Sequence, residues 1–427
     1  METVRSMRPS ATEAPPSGPA GVAAAARCPV AHASVEQRKT AREPEPARPA
    51  IARDTAGVWQ VRGFAEVRAV LRSADTRQAG FKAELMERLP ATAMPNRPIL
   101  YQEGKVHQEQ RRQTARFFTP KMVSERYRAL METLSEQLVG QVRQRGQADL
   151  SRLSLRLAVR VAGAVVGLTS SRLPGMDRRL NAFFAEESGA FGWSPRALWR
   201  FARMQTRVAA FYLLDVRPAI GARRQRPQED VISHLIAQGY SDAEILTECV
   251  TFAAAGMVTT REFICAAAWH LLEQPELRAR YLAGTEEERY AVLHEVLRLE
   301  PVVGHLYRRA TAELRIASEG ATVVIPQGDL LDLHVYAANA DEAVAGEHPL
   351  ALCPGRPLRM ERVTAAVMGF GDGHHRCPGA SIAIQESDLF LRRLLALEGL
   401  RIVRGPKLAW NELVSGYELR DFVLAVD

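Results

Sequence analysis

Lysine is nearly missing from this 427-residue chain: of its 56 basic residues only five are lysines, Lys39, Lys82, Lys105, Lys121 and Lys407. Positive charge rests on arginine spread along the whole length, and a net +7 so diluted does not make a nucleic-acid surface. A docking face for an acidic protein is still compatible with it. Cysteine is scarce as well. Cys28, Cys249, Cys265, Cys353 and Cys377 are odd in number and scattered, with no CxxC pair. That pattern excludes a visible disulfide framework, leaves no four-ligand structural zinc set, and favours a reducing compartment. The first 50 residues lack apolar periodicity and any cluster of Leu, Ile or Phe. Their GPAGVAAAA run is too short to span a bilayer and too weak for a signal sequence. The expectation is a flexible Pro/Ala-rich tail over residues 1–50, one folded domain over residues 51–427, no transmembrane anchor, and a cytoplasmic protein.

What the chain does have is core-forming material, 47% hydrophobic residues, and one unusual stretch. Phe370 to Gly379 reads FGDGHHRCPG and puts Cys377 at the end of a glycine-rich turn. An apolar helix is expected directly after it, from about Ala380 to Leu397. A cysteine at a helix N-terminus feels the positive end of the macrodipole, and free N–H groups of the first turn hydrogen-bond its sulfur. The expectation is a lowered thiol pKa and a metal-binding thiolate. Gly371, Gly373 and Gly379 allow positive φ and close approach of a bulky planar group, and Phe370 can cover the sulfur. From these residues alone, a buried structural cysteine and a partial zinc site at His375 and Cys377 stay open.

FGDGHHRCPG fits the haem-binding signature F-G-x-G-x-H-x-C-x-G position for position, and on it the chain resembles the cytochrome P-450 superfamily. The resemblance implies haem b, with Cys377 as the proximal thiolate ligand, His375 as partner of a propionate, and Phe370, Gly371 and Gly379 around the cofactor. A thiolate ligand pushes electron density toward iron and favours O–O cleavage. The implied fold is α+β and mostly α, with a long central I helix, small β-sheets, and haem between the I and L helices. The resemblance spans about residues 51–427.

Other segments agree with it in chain order. GVWQVRGFAEVRAVLR reads as a strand around Val58 and Gln60, then a helix with Phe64, Val67, Val70 and Leu71 on one face. Residues 79–106 read as a long loop, which in the family roofs the pocket. His107 and Arg111 share a helix face; alone they suit a solvated basic face, and the resemblance makes them propionate contacts. Residues 123–220 read as helical. The aromatics Phe183, Phe184, Phe191, Trp193, Trp199 and Phe201 are expected mostly in the core, with a mobile lid around Gly192 to Pro195.

The longest helix is expected from a capping box at Ser241 and Glu244 to Pro275, a rod of roughly 48 Å. In its buried middle, Ala255-Gly256-Met257-Val258-Thr259-Thr260 resembles the oxygen-binding motif. That implies catalytic roles for Ala255, Gly256 and Thr259, with Thr259 hydrogen-bonding dioxygen and its protonating water. Read without the resemblance, a threonine back-bonding to its own helix is the ordinary case. The acid that usually precedes the threonine is Val258 here, so protons need ordered water, the substrate or another side chain, with Glu262 a candidate.

Glu295 and Arg298 form an i, i+3 pair before Pro301 that resembles the K-helix motif, with Arg356 as third member of a structural triad. Arg308 resembles a further propionate arginine. TVVIPQGDLLDLH reads as a hairpin around Gln327 and Gly328, and Cys353 as a packed thiol. Phe81, Leu85, Phe183, Trp193, Val302, Val303, Leu413 and Val414 match in order the family's substrate-contacting segments, which implies a bulky hydrophobic small molecule. The implied activity is a monooxygenase that takes O2 and inserts one oxygen atom by hydroxylation or epoxidation. Electrons come indirectly from NAD(P)H through a separate ferredoxin- or flavodoxin-type partner on a basic proximal face including Arg112, Arg116 and Lys121. Oxidative phenol coupling or desaturation is the alternative. A peroxygenase fits less well because Thr259 stands where it needs an arginine, and a haem sensor lacks a partner domain.

Overall fold

Phe64, Val67, Val70 and Leu71 are buried on one face of α1 (Phe64–Arg72), as their spacing requires. The computed structural model describes residues 38–41, 48–81, 83, 95–184, 194–412 and 414–427. Ahead of α1, β1 (Ile51–Arg53) and β2 (Trp59–Val61) pair antiparallel. After it come β3 (Thr76–Gln78), α2 (Gly104–Thr114), α3 (Arg128–Arg145) and α4 (Leu150–Val166). Gly146 and Gly167 end α3 and α4 in the left-handed conformation, where a side chain is strained.

The long helix α5 (Asp242–Glu273) begins at the expected capping box of Ser241 and Glu244 and stops before Pro275. A π-turn over Ala253–Val258 interrupts it, which sequence spacing did not reveal. It is apolar and long enough to cross a membrane, but most of it is buried within the protein, packed against α4, α6 (Glu286–Leu299) and α7 (Ala380–Leu395). With α3 these helices enclose the main apolar core.

Six further strands are β4 (His305–Ala310), β5 (Leu314–Ser318), β6 (Ala321–Ile325), β7 (Leu330–His334), β8 (Lys407–Asn411) and β9 (Gly416–Arg420), and the strands Gln147–Asp149, Arg401–Arg404 and Val423–Ala425 make a small sheet of their own. The five-stranded sheet runs β1-β2-β7-β4-β3, with β2 and β7 parallel. Gln327-Gly328 does turn, Gly328 standing at φ +90°, but it does not make the expected hairpin. β6 pairs back on β5, and β7 crosses to the other sheet between β2 and β4. The burial of Leu331, Asp332 and Leu333 explains the crossing: such a strand needs neighbours on both edges, whereas β5 alternates buried and exposed.

Two further expectations change. Thr40, within the expected tail, is buried, and the Lys39 and Thr40 N–H groups donate to Glu300 at 2.7 and 3.1 Å. Cys353 is disulfide-bonded and not a free packed thiol.

One charged cluster ties α6 to the segment before α7. Arg298 donates to both Glu295 oxygens at 2.7 and 2.8 Å, and Arg356 Nε to Glu295 Oε1 at 3.1 Å. The Cys353 N–H adds a further bond at 3.0 Å. Arg298 Nη1 donates to Asn339 O, and the Asn339 side chain accepts from Met368 N at 2.7 Å. Glu295→Gln leaves two guanidinium groups without their counter-charge, so the unfolding free energy should fall by about 3–5 kcal/mol. A denaturant titration showing a loss below about 1 kcal/mol, the range of an exposed pair, would contradict this account.

Candidate active site

The loop before α7 lies on α1 because glycine permits it. Gly371 and Gly373 stand at φ +68° and +66°, and a Cβ on Gly373 would lie 2.1 Å from Leu71 O. Asp372 holds the loop there through Arg68 at 3.2 Å and Arg72 at 3.0 Å. The loop closes when Cys377 N–H donates to Phe370 O at 2.9 Å and Arg376 N–H to Gly373 O at 3.2 Å.

Cys377 is half-buried, and the Gly379 N–H donates to its sulfur. The expected low thiol pKa is not found. Burial raises it above the ordinary value, and the Gly379 N–H with the charges of Arg111 and Arg376 offsets only part of that rise. The helix begins beyond the sulfur, at Ala380, so the loss of water around a thiolate outweighs the macrodipole. A cation bound at the sulfur reverses the balance.

α2 forms one wall. His107 is buried, and its ring stacks on His375 with centroids 4.1 Å apart. His375 Nε2 lies 3.0 Å from Glu103 Oε2, and Glu103 Oε1 accepts from Gln78 N–H at 2.7 Å. Arg308, buried on β4, donates to the Gln78 side chain. Arg111 Nη2 donates to Arg376 O at 2.6 Å. Burial, reinforced by His375 and Arg111, pulls His107 down to about 4, so its ring is neutral near pH 7. Burial likewise lowers Arg308 to about 10, against the pull of Glu103.

α5 carries the second set of expected residues. Ala255 is exposed in the middle of this buried helix, and Gly256 and Thr259 are half-buried, all at the π-turn. The Thr259 hydroxyl donates to Ala255 O, so its proton is committed to the helix and its lone pairs stay open. Val258 is buried in the protein. Glu262 is no proton source: it accepts from Arg261 and Arg420 at 2.8 and 2.7 Å and from Leu419 N–H at 2.7 Å, which ties α5 to β9. Thr260 bonds Glu386 of α7, joining the two helices.

These residues fit haem on two observations. A Cβ on Gly371 would meet nothing within 4 Å and one on Gly256 only Ala162 at 3.7 Å, so there is open space at each. Arg308 and His375 gather near a single acid, Glu103, and Arg111 stands near Cys377, an excess of positive charge that suits an anionic group.

The expected substrate residues scatter more. Val302 and Val414 are buried, Val302 within the main core, whereas Val303 is half-buried and bridges to Gly416. The two segments are joined by Gly304 N–H donating to Ser415 O at 3.0 Å. Phe81 is half-buried at φ +55°, its carbonyl held by the Tyr101 hydroxyl at 2.7 Å. Phe183 packs edge-on against Phe184 at 4.8 Å. Leu85, Trp193 and Leu413, with Phe191, lie outside the described residues. Trp199 and Phe201 are exposed and not in the core. Glu103, Gln78 and Asp372 were not anticipated; for Asp372 the i, i+4 pair Arg68 and Arg72 was the available signal.

Residues 290–397 match the cytochrome P-450 family profile. The mycinamicin IV hydroxylase/epoxidase of Micromonospora griseorubida is 29% identical over 83% of this chain and 86% of its own length. The erythromycin C-12 hydroxylase of Saccharopolyspora erythraea is 26% identical over 84% and 86%. Among solved structures, CalO2 matches with a TM-score of 0.73 at 23% identity, covering 88% of this chain and 92% of its own. The hydroxylase HmtN matches with a TM-score of 0.70 at 21% identity over 90% and 94%. At those identities the structural likeness speaks for the fold.

Proposed function

The chain belongs to the cytochrome P-450 family and is a monooxygenase of that family, and from that premise we propose that it hydroxylates or epoxidises a bulky apolar small molecule, with Cys377 as the thiolate ligand of haem b. The observation that carries the assignment of Cys377 is its sulfur, half-buried at the end of a loop closed by its own N–H and met by the Gly379 N–H. His375, His107, Arg111 and Arg308 would hold the propionates, with Phe370, Gly371 and Gly379 against the ring. Haem bound here supplies oxygen activation: with two electrons and two protons from outside, one atom of O2 enters a C–H or C=C bond of the substrate and the other leaves as water. The protein's own part is to exclude bulk water, hold substrate and place a proton. Thr259 is the group we assign to the proton, since its lone pairs are free to accept from a water at the π-turn, and Val258 and Glu262 offer nothing in its place.

Two relatives act, by their names, as hydroxylases or epoxidases of mycinamicin IV and erythromycin. They support a lipophilic natural product as substrate here: a terpenoid, polyketide, carotenoid or fatty acyl group. Electrons reach the site from a ferredoxin- or flavodoxin-type donor in the cytoplasm, docked beside the Cys377 loop. Arg112 there is paired with Glu109 at 2.7 Å, and Arg116 stacks over Phe117 at 4.8 Å.

Cys377→Ser should abolish the thiolate spectrum of the reduced protein's carbon-monoxide complex, while Cys249→Ser leaves it in place. The same spectrum in Cys377→Ser would overturn the assignment. Thr259→Ala should keep haem and substrate binding but divert electrons to hydrogen peroxide. Full coupling of electrons to product in that variant would mean that the protons arrive by another route, such as a hydroxyl of the substrate itself, and would overturn the role of Thr259. Reversing Arg112 and Arg116 to Glu should slow reduction by the donor on the order of tenfold at low ionic strength, with the difference fading as salt screens the encounter. Equal stopped-flow rates at low salt would exclude this face.

A further inference from the structure

A second group of donors stands on β4 and β7, away from the residues assigned to haem. His305 and His334 are direct cross-strand partners, and Asp332, two residues before His334, shares its face. Gln60 of β2 lies opposite Asp332. Alternation along β4 sends Arg308 and Leu306 to the other side, so the group is separate from the contact of Arg308 with Gln78.

His305 Nδ1 lies 2.8 Å from Asp332 Oδ1, and His334 Nε2 lies 3.8 Å from Asp332 Oδ2 and 2.6 Å from Gln60 Oε1. One donor atom from each of His305, Asp332 and His334 falls within 4.8 Å of the other two, and among the described residues no other group of three or more His, Cys, Asp and Glu does this. Donor atoms around a tetrahedral zinc-class ion stand on the order of 3.3 Å apart, so small side-chain rotations suffice. The rings already meet at 4.6 Å and 61°, and Trp410 stands edge-on to His305 at 6.0 Å. Two imidazoles and one carboxylate on rigid strands suit a borderline ion. Calcium and magnesium, which take six or more oxygens, are poorly served.

We propose that His305, Asp332 and His334 form a binding site for a divalent transition-metal ion of the zinc class, with Gln60 Oε1 or water as the fourth ligand. Arg62 and Arg48 stand near His334 as positive charges, and Asp332 as the opposing negative one. The two arginines set a cost for a dication, which Asp332 offsets only in part. The ion would clamp β2, β4 and β7, and so stiffen the strand that carries Arg308.

Haem-loaded, tag-free full-length protein titrated with Zn2+ near pH 7 by calorimetry should bind one equivalent saturably, and metal analysis after dialysis should agree. His334→Gln and Asp332→Asn, each checked for an unchanged haem spectrum, should weaken binding at least about tenfold. His348→Gln, at an exposed position, should not. Wild-type protein should also melt higher with Zn2+ than with Mg2+, a measurement that needs no variant to fold. Absence of saturable one-to-one binding, or equal affinity in His334→Gln and Asp332→Asn, would leave a purely hydrogen-bonded His–Asp–His cluster and overturn the proposal.

Discussion

The buried carboxylate of Glu295, gripped by Arg298 and Arg356, is the constraint on which the rest depends. Both guanidinium groups lie inside the protein, where an uncompensated charge is costly, so α6 and the segment around Arg356 must meet in one register. Arg356 spends its other donors on the carbonyls of Ala345, Glu347, His348 and Ala351, which fixes a stretch without regular structure. Through Arg298 and Asn339 the same network reaches Met368, two residues before Phe370. The position of the Cys377 loop is thus set from its N-terminal side by a charge cluster remote from the sulfur.

From the C-terminal side the loop is set by α7. Arg289 grips Asp388 at 2.7 and 3.1 Å and the Tyr281 hydroxyl donates to the same carboxylate at 2.7 Å, so the helix after the cysteine cannot slide along its neighbours. Between these anchors Asp372 pins the loop to α1. Such rigid support lets a half-buried thiol stay where burial disfavours its ionised form. The long helix α5 carries a local fault, the π-turn over Ala253–Val258. At the π-turn Ala255 and Gly256 keep accessible surface in a stretch whose neighbours Ala253, Met257 and Val258 are buried.

Alternation and helical spacing made α1, the start of α5 and the helix α7 legible, since each rests on residues close in the chain. The Gln327-Gly328 turn shows the limit of that reasoning. Its local chemistry was right, but the pairing of β7 depended on which distant strands needed its buried face. Cys377 was located by motif, and its thiol pKa was misjudged: the macrodipole is a local effect, whereas burial is imposed by the whole fold. Glu262 looked free in sequence and proved to be bound by Arg420 and Leu419, some 158 and 157 residues away.

The amino-acid order by itself determined the glycine turn around Cys377, the capping box at Ser241 and Glu244, and the i, i+3 pair of Glu295 and Arg298, because backbone freedom, capping and helix spacing act within a few residues. Only the tertiary structure decided that Glu103 and Gln78 join His375 and Arg308, that Glu262 is spent on β9, and that His305, Asp332 and His334 share one sheet face. Those groupings join residues far apart in the chain, and packing and strand pairing, not local preference, bring their charges and donors together.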